Sequence, residues 1–283
     1  VREPVLVAGF TGWNDAGDAA SDAVAWLAGH YRAERFASLD PEEHLDFQTI
    51  RPTVELLDGV TRALRWPSIR FEHATTDSPT TPDLLLLSGP EPNFRWRGFA
   101  DAVVTVARET GARMVVTFGA LLADAPHTRP VPVTGTTTDR DLVQRLALTQ
   151  SSYEGPTGIV GVLQDACGTA GIASASLWAT VPHYVATPPN PPAIGALLSR
   201  FAALTGLDLD LRELSVAGDA WRARVDSAVA ADDDLRDYVL GLEEALDDED
   251  AEGPGADPLD LPSGDAIAEA FEQYLRDQSP PEA

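Results

Sequence analysis

The sequence contains no lysine; all 20 of its basic residues are arginines. That absence excludes a Schiff-base lysine and a P-loop lysine outright. Cysteine is almost missing as well. Cys167 stands alone, so no disulfide can form within the chain. Positive charge is scarce: 45 acidic residues against 20 basic ones give a net charge of −25. Such a surface repels phosphate backbones and anionic membranes, so neither nucleic acid nor a membrane is expected as a partner. No apolar run approaches the ~20 residues of a bilayer span, and no charged-apolar-small leader opens the sequence. The expectation is a soluble cytoplasmic protein.

Several signatures of known chemistry are also missing. No G-x-G-x-x-G or Walker A spacing cradles a phosphate. No G-x-S-x-G elbow supplies a hydrolase nucleophile. Neither H-E-x-x-H nor a Cys/His zinc spacing occurs. No cofactor, no metal and no complete catalytic set is therefore expected.

What is present is enough apolar material for a full core, at 44% of 283 residues. Short apolar runs alternate with helical periodicities. Strands are expected at Val5 to Phe10, Glu34 to Leu39, Asp83 to Ser88, Arg113 to Phe118 and Ser174 to Val181. Two or three further strands are expected between Phe47 and His73 around the Asp58-Gly59 turn, with Pro67 arguing for an edge position. Val131 to Thr134 reads as another edge strand. Helices are expected at Ala16 to Tyr31, Trp96 to Glu109, Arg140 to Leu148, from the Gly155–Gly161 turn to about Gly168, and from Asn190 to Gly206. Strands alternating with helices imply a three-layer α/β/α sandwich on a mixed, mainly parallel sheet.

Residues 1–206 form this core domain. A helical C-terminal subdomain follows at 207–248, with a break near Asp232 to Asp234. An acidic Gly/Pro-rich linker at 249–262 and an amphipathic helix at 263–277 close the chain.

In such sheets ligands bind beyond the carboxyl ends of the strands. Four turns qualify: TGWNDAGD, GPEPNFRW, GALLADAPH and VPHYVATPPNPP. In the first, Asn14 and Asp15 are candidate polar groups, or else caps for the following helix, with Trp13 packed on the sheet edge. In the second, Glu91 beside apolar rings is either an acid/base group or a structural one, capping the next helix or pairing with Arg95 or Arg97. In the third, His127 follows Asp124 by three residues and joins Asn14, Asp15 and Glu91 as a candidate group of a ligand or interface pocket; a lone loop histidine is more often a surface hydrogen-bonding group than a catalyst. The TGTTTD run from Thr134 to Asp139 reads as an edge strand and a helix cap. Gly155, Thr157 and Gly158 mark a turn where the backbone is held closely, against either the sheet or another subunit. Cys167 on its apolar helix reads as a buried, inert thiol.

FTGWNDAGDAA, GPEP-x-x-x-W, YEGPTGIVGVLQDA and SASLWATVPHYV with PPNPPA, in that order, resemble the proteasome assembly chaperone 2 family, in particular its actinobacterial branch. The resemblance spans Val5 to Ala220. It implies a three-layer fold similar to purine nucleoside phosphorylases and peptidyl-tRNA hydrolases. It implies a homo-oligomer, a trimer by preference, and proteasome subunits or another protein as partner. It brings no defined catalytic activity. The missing lysine counts against the ATP-grasp-like label carried by archaeal relatives. The preferred reading is a non-enzymatic, assembly-chaperone-like oligomer. The alternative is a binder of, or enzyme on, a small nucleoside- or amino-acid-like metabolite at the strand ends.

Overall fold

The computed structural model describes residues 2–57, 59, 61–137 and 155–252. Seven strands form one twisted sheet: β1 (Val5–Thr11), β2 (Glu34–Leu39), β5 (Ile69–Ala74), β6 (Leu84–Pro90), β7 (Met114–Ala123), β8 (Val133–Thr137) and β9 (Ser174–Pro182). Their order is β2-β5-β6-β1-β7-β9-β8. The central four are parallel, with β6, β1, β7 and β9 in successive register. The flanking strands β5, β2 and β8 pair antiparallel. A separate hairpin, β3 (Thr53–Leu57) and β4 (Thr61–Arg65), projects between β2 and β5.

The helices explain why the central strands read as unbroken apolar runs. Along β1 the odd positions Val5 and Val7 face one layer, α1 (Ala19–His30) and α5 (Pro191–Thr205). The even positions Leu6, Ala8 and Phe10 face the other, α3 (Trp96–Glu109) and α4 (Ile159–Thr169). A strand covered on both faces has no solvent side and so shows no alternation. Each layer is pinned by edge-to-face rings, Phe118 on Phe201 at 5.5 Å and Phe10 on Phe99 at 5.7 Å. Burying each such ring is worth roughly 1.5–3 kcal/mol. A short helix, α2 (Pro41–His44), follows β2 and is capped by Asp40. A third cluster, Trp221, Val225, Val229 and Val239, joins α6 (Arg212–Ala230) to α7 (Asp233–Glu252) and to Tyr184 and Val185 after β9.

Several expectations shift. β7 runs five residues past Phe118, because Gly119 to Ala123 stay paired to β9. Pro67 lies between β4 and β5, and β5 is interior, since β2 covers its free side. The first helix begins at Ala19, after a 3-10 turn over Ala16–Asp18. α7 continues to Glu252, into the stretch read as linker. The helix expected at Arg140 to Leu148, the rest of the linker and the last amphipathic helix lie outside the described residues. Among the described residues, no helix is long and apolar enough to cross a membrane.

Candidate functional site

The sites of interest follow from where the chain leaves the parallel strands. β1 and β6 are neighbours, yet α1 lies on one face and α3 on the other. The crevice at such a switch point is where open α/β sheets offer a site. Here the turns that rim it are tied to one another. The Asn14 carbonyl accepts from the Ala120 N–H at 2.8 Å, hooking the first turn onto β7. The Glu91 N–H donates to the Thr11 carbonyl at 2.8 Å, joining the second turn to the first. Gly17 lies against Asn190, Val181 and Ala186, joining the first turn to the loop after β9.

Glu91 sits at the centre of this latch. Its Oε1 accepts from Asn14 Nδ2 at 2.8 Å and from the Ile159 N–H at 2.9 Å. Glu91 thus caps α4 rather than the helix that follows it, and a carboxylate suits the positive end of a helix. Arg95 pairs instead with Glu43 at 3.2 Å. A carboxylate only accepts, so Nδ2 of Asn14 must be the group facing it. That leaves Asn14 Oδ1 buried without a hydrogen-bond partner. The Asn14 amide lies across the Cα of Gly158, where a Cβ would stand 2.5 Å from Nδ2 and 2.6 Å from Oδ1. Thr157 blocks a Cβ at Gly161 in the same manner. Gly155 is exposed at the start of this turn.

Asp15 does a different job. Its Oδ1 accepts from the Ala20 N–H at 2.7 Å and the Ser21 N–H at 3.1 Å, while Oδ2 accepts from the Ser21 hydroxyl at 2.5 Å. It satisfies first-turn donors of α1 from beyond the helix end, a task the local cap Asp18 leaves undone. Burial raises its pKa to about 6, against the pull of the bonds to Ser21 and Ala20.

His127 lies elsewhere on the rim. Its side chain is 1% exposed, so it is no surface group. Its Nε2 is 3.0 Å from Asp226 Oδ1, and its Nδ1 is 2.7 Å from the Tyr184 hydroxyl. The Tyr184 oxygen also accepts from the His127 N–H at 2.7 Å. With the ring proton on Nε2, every donor in this chain has an acceptor: imidazole to Asp226, phenol to imidazole, amide to phenol. Burial pushes the Tyr184 pKa up. Asp124 does not serve His127. It faces His183 at 3.1 Å and accepts from Tyr238 at 2.9 Å. Burial, with Asp124 adding to it, raises Tyr238 to about 12. The carboxylate–imidazole–phenol row has the geometry of a proton relay, but it also clasps α6 to the loops after β7 and β9. Tyr184 and Asp226 escaped the sequence reading, because Asp226 lies 99 residues from His127 and no local spacing links them.

Next to His127 a cavity of about 10 Å³ is lined by Thr180, Asn190 and Trp221 among others. Asn190 caps α5 through its Oδ1, at 3.1 Å from the Ala193 N–H, and its Nδ2 is buried without a partner. Trp13, by contrast, is 68% exposed rather than packed on the sheet edge. Its neighbours Asn14 and Asp15 take the inward positions. Phe94 and Leu122 are also exposed at this end of the sheet.

This order of turns, with GPEP, GPTGIVG and the capped PPNPP stretch meeting at one end of the sheet, matches one sequence profile. The profile of the PAC2 family covers residues 9–229. The chain belongs to the PAC2 family. A PAC2 family protein from Streptomyces avermitilis is similar to it at 49% identity, over 83% of this chain and 99% of that one, with a TM-score of 0.78. The proteasome-assembly chaperone homologue of Mycobacterium tuberculosis is similar at 45% identity, over 83% and 99%, with a TM-score of 0.77. The archaeal proteasome activator PbaB of Pyrococcus furiosus shares 17% identity over 81% and 94%, with a TM-score of 0.64, a likeness of fold alone. No protein of curated function matches the chain. In PAC2 terms, the latch residues Asn14, Glu91 and Gly158 and the clasp residue His127 all fall within the matched span.

Proposed function

We propose that this PAC2 protein is a non-enzymatic, assembly-chaperone-like protein that works as a homo-oligomer on a protein client, proteasome α-subunits being the expected one. One observation carries the reading. At the carboxyl end of the sheet the polar groups bond mainly to one another, while Trp13, Phe94 and Leu122 stand exposed on the same rim. Exposed apolar side chains around an occupied polar centre suit a macromolecular surface. The 45% identity with the M. tuberculosis proteasome-assembly chaperone homologue supports the choice of client. The test is capture from the source cell with the full chain as bait. Proteasome α-subunits are expected with the wild type and at least tenfold less with W13A/F94A. Recovery of the bait alone would overturn the reading.

A second reading rests on two buried groups, Asn14 Oδ1 and Asn190 Nδ2, which lack hydrogen-bond partners beside the strand ends. A small ligand offering a donor to Asn14 Oδ1, or an acceptor to Asn190 Nδ2, would satisfy that group. Such a ligand at 100 times its Kd stabilises the fold by about 2.7 kcal/mol. A thermal-shift screen of nucleosides, nucleotides and amino acids reads this directly, and a flat screen removes it.

A further inference from the structure

Glu91 uses only half of its carboxylate in the latch. Oε1 takes both bonds, from Asn14 Nδ2 and from the Ile159 N–H. Oε2 takes no hydrogen bond and no ion pair among the described residues. The arginines that follow Glu91 leave it free. Arg95 pairs with Glu43, and Arg97 is exposed and makes no ion pair among the described residues. Two bonds to Oε1 hold the carboxylate in one orientation, so Oε2 keeps a fixed place. Glycine lies beside it: a Cβ on Gly12 would stand 3.3 Å from Glu91 Cβ and 3.6 Å from Oε2. Gly12 is exposed with φ of 131°, a conformation open mainly to glycine. No side chain therefore covers Oε2 from that position. In the same turn Trp13 stands 68% exposed, and Phe94, three residues after Glu91, is 50% exposed.

A charged acceptor, fixed in place beside exposed aromatic rings, is a receptor for a cation. A metal ion fits poorly. Glu91 offers one oxygen where a hard cation takes several, and among the described residues no group of three His, Cys, Asp or Glu side chains could hold one. An organic cation needs less. A guanidinium presents in-plane N–H donors to a carboxylate oxygen and a flat, weakly hydrated face to an indole. An ammonium is compact and strongly hydrated, and gains less from a ring. The whole chain acts in the same sense at long range, since a net charge of −25 attracts basic surfaces.

We propose that Glu91 Oε2 and Trp13 form a subsite for one arginine side chain of the protein client. The guanidinium donates to Oε2 and stacks on the Trp13 ring, while Phe94 offers apolar surface to its stem. The subsite rests on the client reading above and names the chemistry that the client must offer.

The experiment uses the full chain, with N-acetyl-arginine methylamide as the probe and its uncharged citrulline analogue as the control. Binding is read from the indole N–H signal of Trp13, assigned by its loss in W13F. The arginine probe should move this signal saturably, and the citrulline analogue should bind more weakly by about tenfold or more. E91Q should lose affinity for the arginine probe by a similar factor. Its glutamine keeps an oxygen for Asn14 and Ile159, so its melting temperature should stay near that of the wild type. Equal binding of the two analogues, equal binding of the probe by wild type and E91Q, or a Trp13 signal that does not move would overturn the proposal. As bait, E91Q should recover far less of the α-subunits than the wild type. Equal recovery by the two would overturn the subsite and leave the client reading standing. Saturable probe binding with a wild-type bait that recovers only itself would overturn the client reading and leave the subsite standing.

Discussion

The amide of Asn14 lies flat across the Cα of Gly158, so that a methyl group there would stand 2.5 Å from Nδ2. Through Glu91 the same amide is bound to the first N–H of α4. Three segments far apart in sequence therefore meet at a point with no spare volume. G158A should lower stability by roughly 1–3 kcal/mol, the usual cost of overpacking, and lower Tm by several degrees. N14G opens the space. In a double-mutant cycle the two changes should couple, with N14G recovering part of the loss from G158A. Strictly additive melting temperatures would show that the two residues do not press on each other.

Asp15 makes stability depend on pH in an unusual direction. Its pKa rises from 3.8 to about 6 because burial disfavours the charged form. Between these values the folded chain holds a proton that the unfolded chain has released. Stability from this group is therefore full below about pH 4, falls as pH rises towards 6, and is flat above. The difference is worth about 3 kcal/mol. Melting curves of wild type and D15N across pH 4–7 isolate it. The wild type should lose ground to D15N over that interval, and parallel curves would refute the assignment.

The Tyr184 hydroxyl accepts from one group of His127 and donates to another. Y184F should leave both unpartnered beside a buried ring and cost about 1–3 kcal/mol. The loss should be local. Hydrogen exchange should quicken in Arg212–Ala230 and around His127 while β1 and β6 stay protected. Uniform quickening across the sheet would mean that the clasp is part of the global core.

Cys167 is buried, and burial pushes its thiol up to about 11. A thiol so far above neutral carries almost no thiolate at pH 7. An aromatic disulfide reagent should leave the native protein unlabelled and react with one thiol per chain in urea. Rapid native labelling would contradict the packing of α4 on the sheet.

Much of the layer structure was legible because it is local. β2 and α3 fall on the residues their patterns gave, since a strand or helix period is written in consecutive side chains. The end of β7 was not. Gly119 to Ala123 look like a loop until β9 pairs with them. Glu91 illustrates the same limit at the site. Its neighbours in sequence suggested a cap for α3 or a pair with Arg95, yet its partners come from residues 14 and 159. A lone loop histidine such as His127 is more often a surface hydrogen-bonding group than a catalyst, and nothing in its own loop marks it as buried. Trp221 and Asp226, nearly a hundred residues later, bury it.

By itself the sequence determined which family motifs these 283 residues carry and that none of them is a lysine, because a residue type or a motif is either there or not. It also determined the alternation of strand and helix, which needs only nearest neighbours. The tertiary structure decided which carboxylate caps which helix, which histidine is buried, and that Trp13 faces outward. Those outcomes depend on segments 70 to 100 residues apart arriving at one point, and no periodicity in the chain records that meeting.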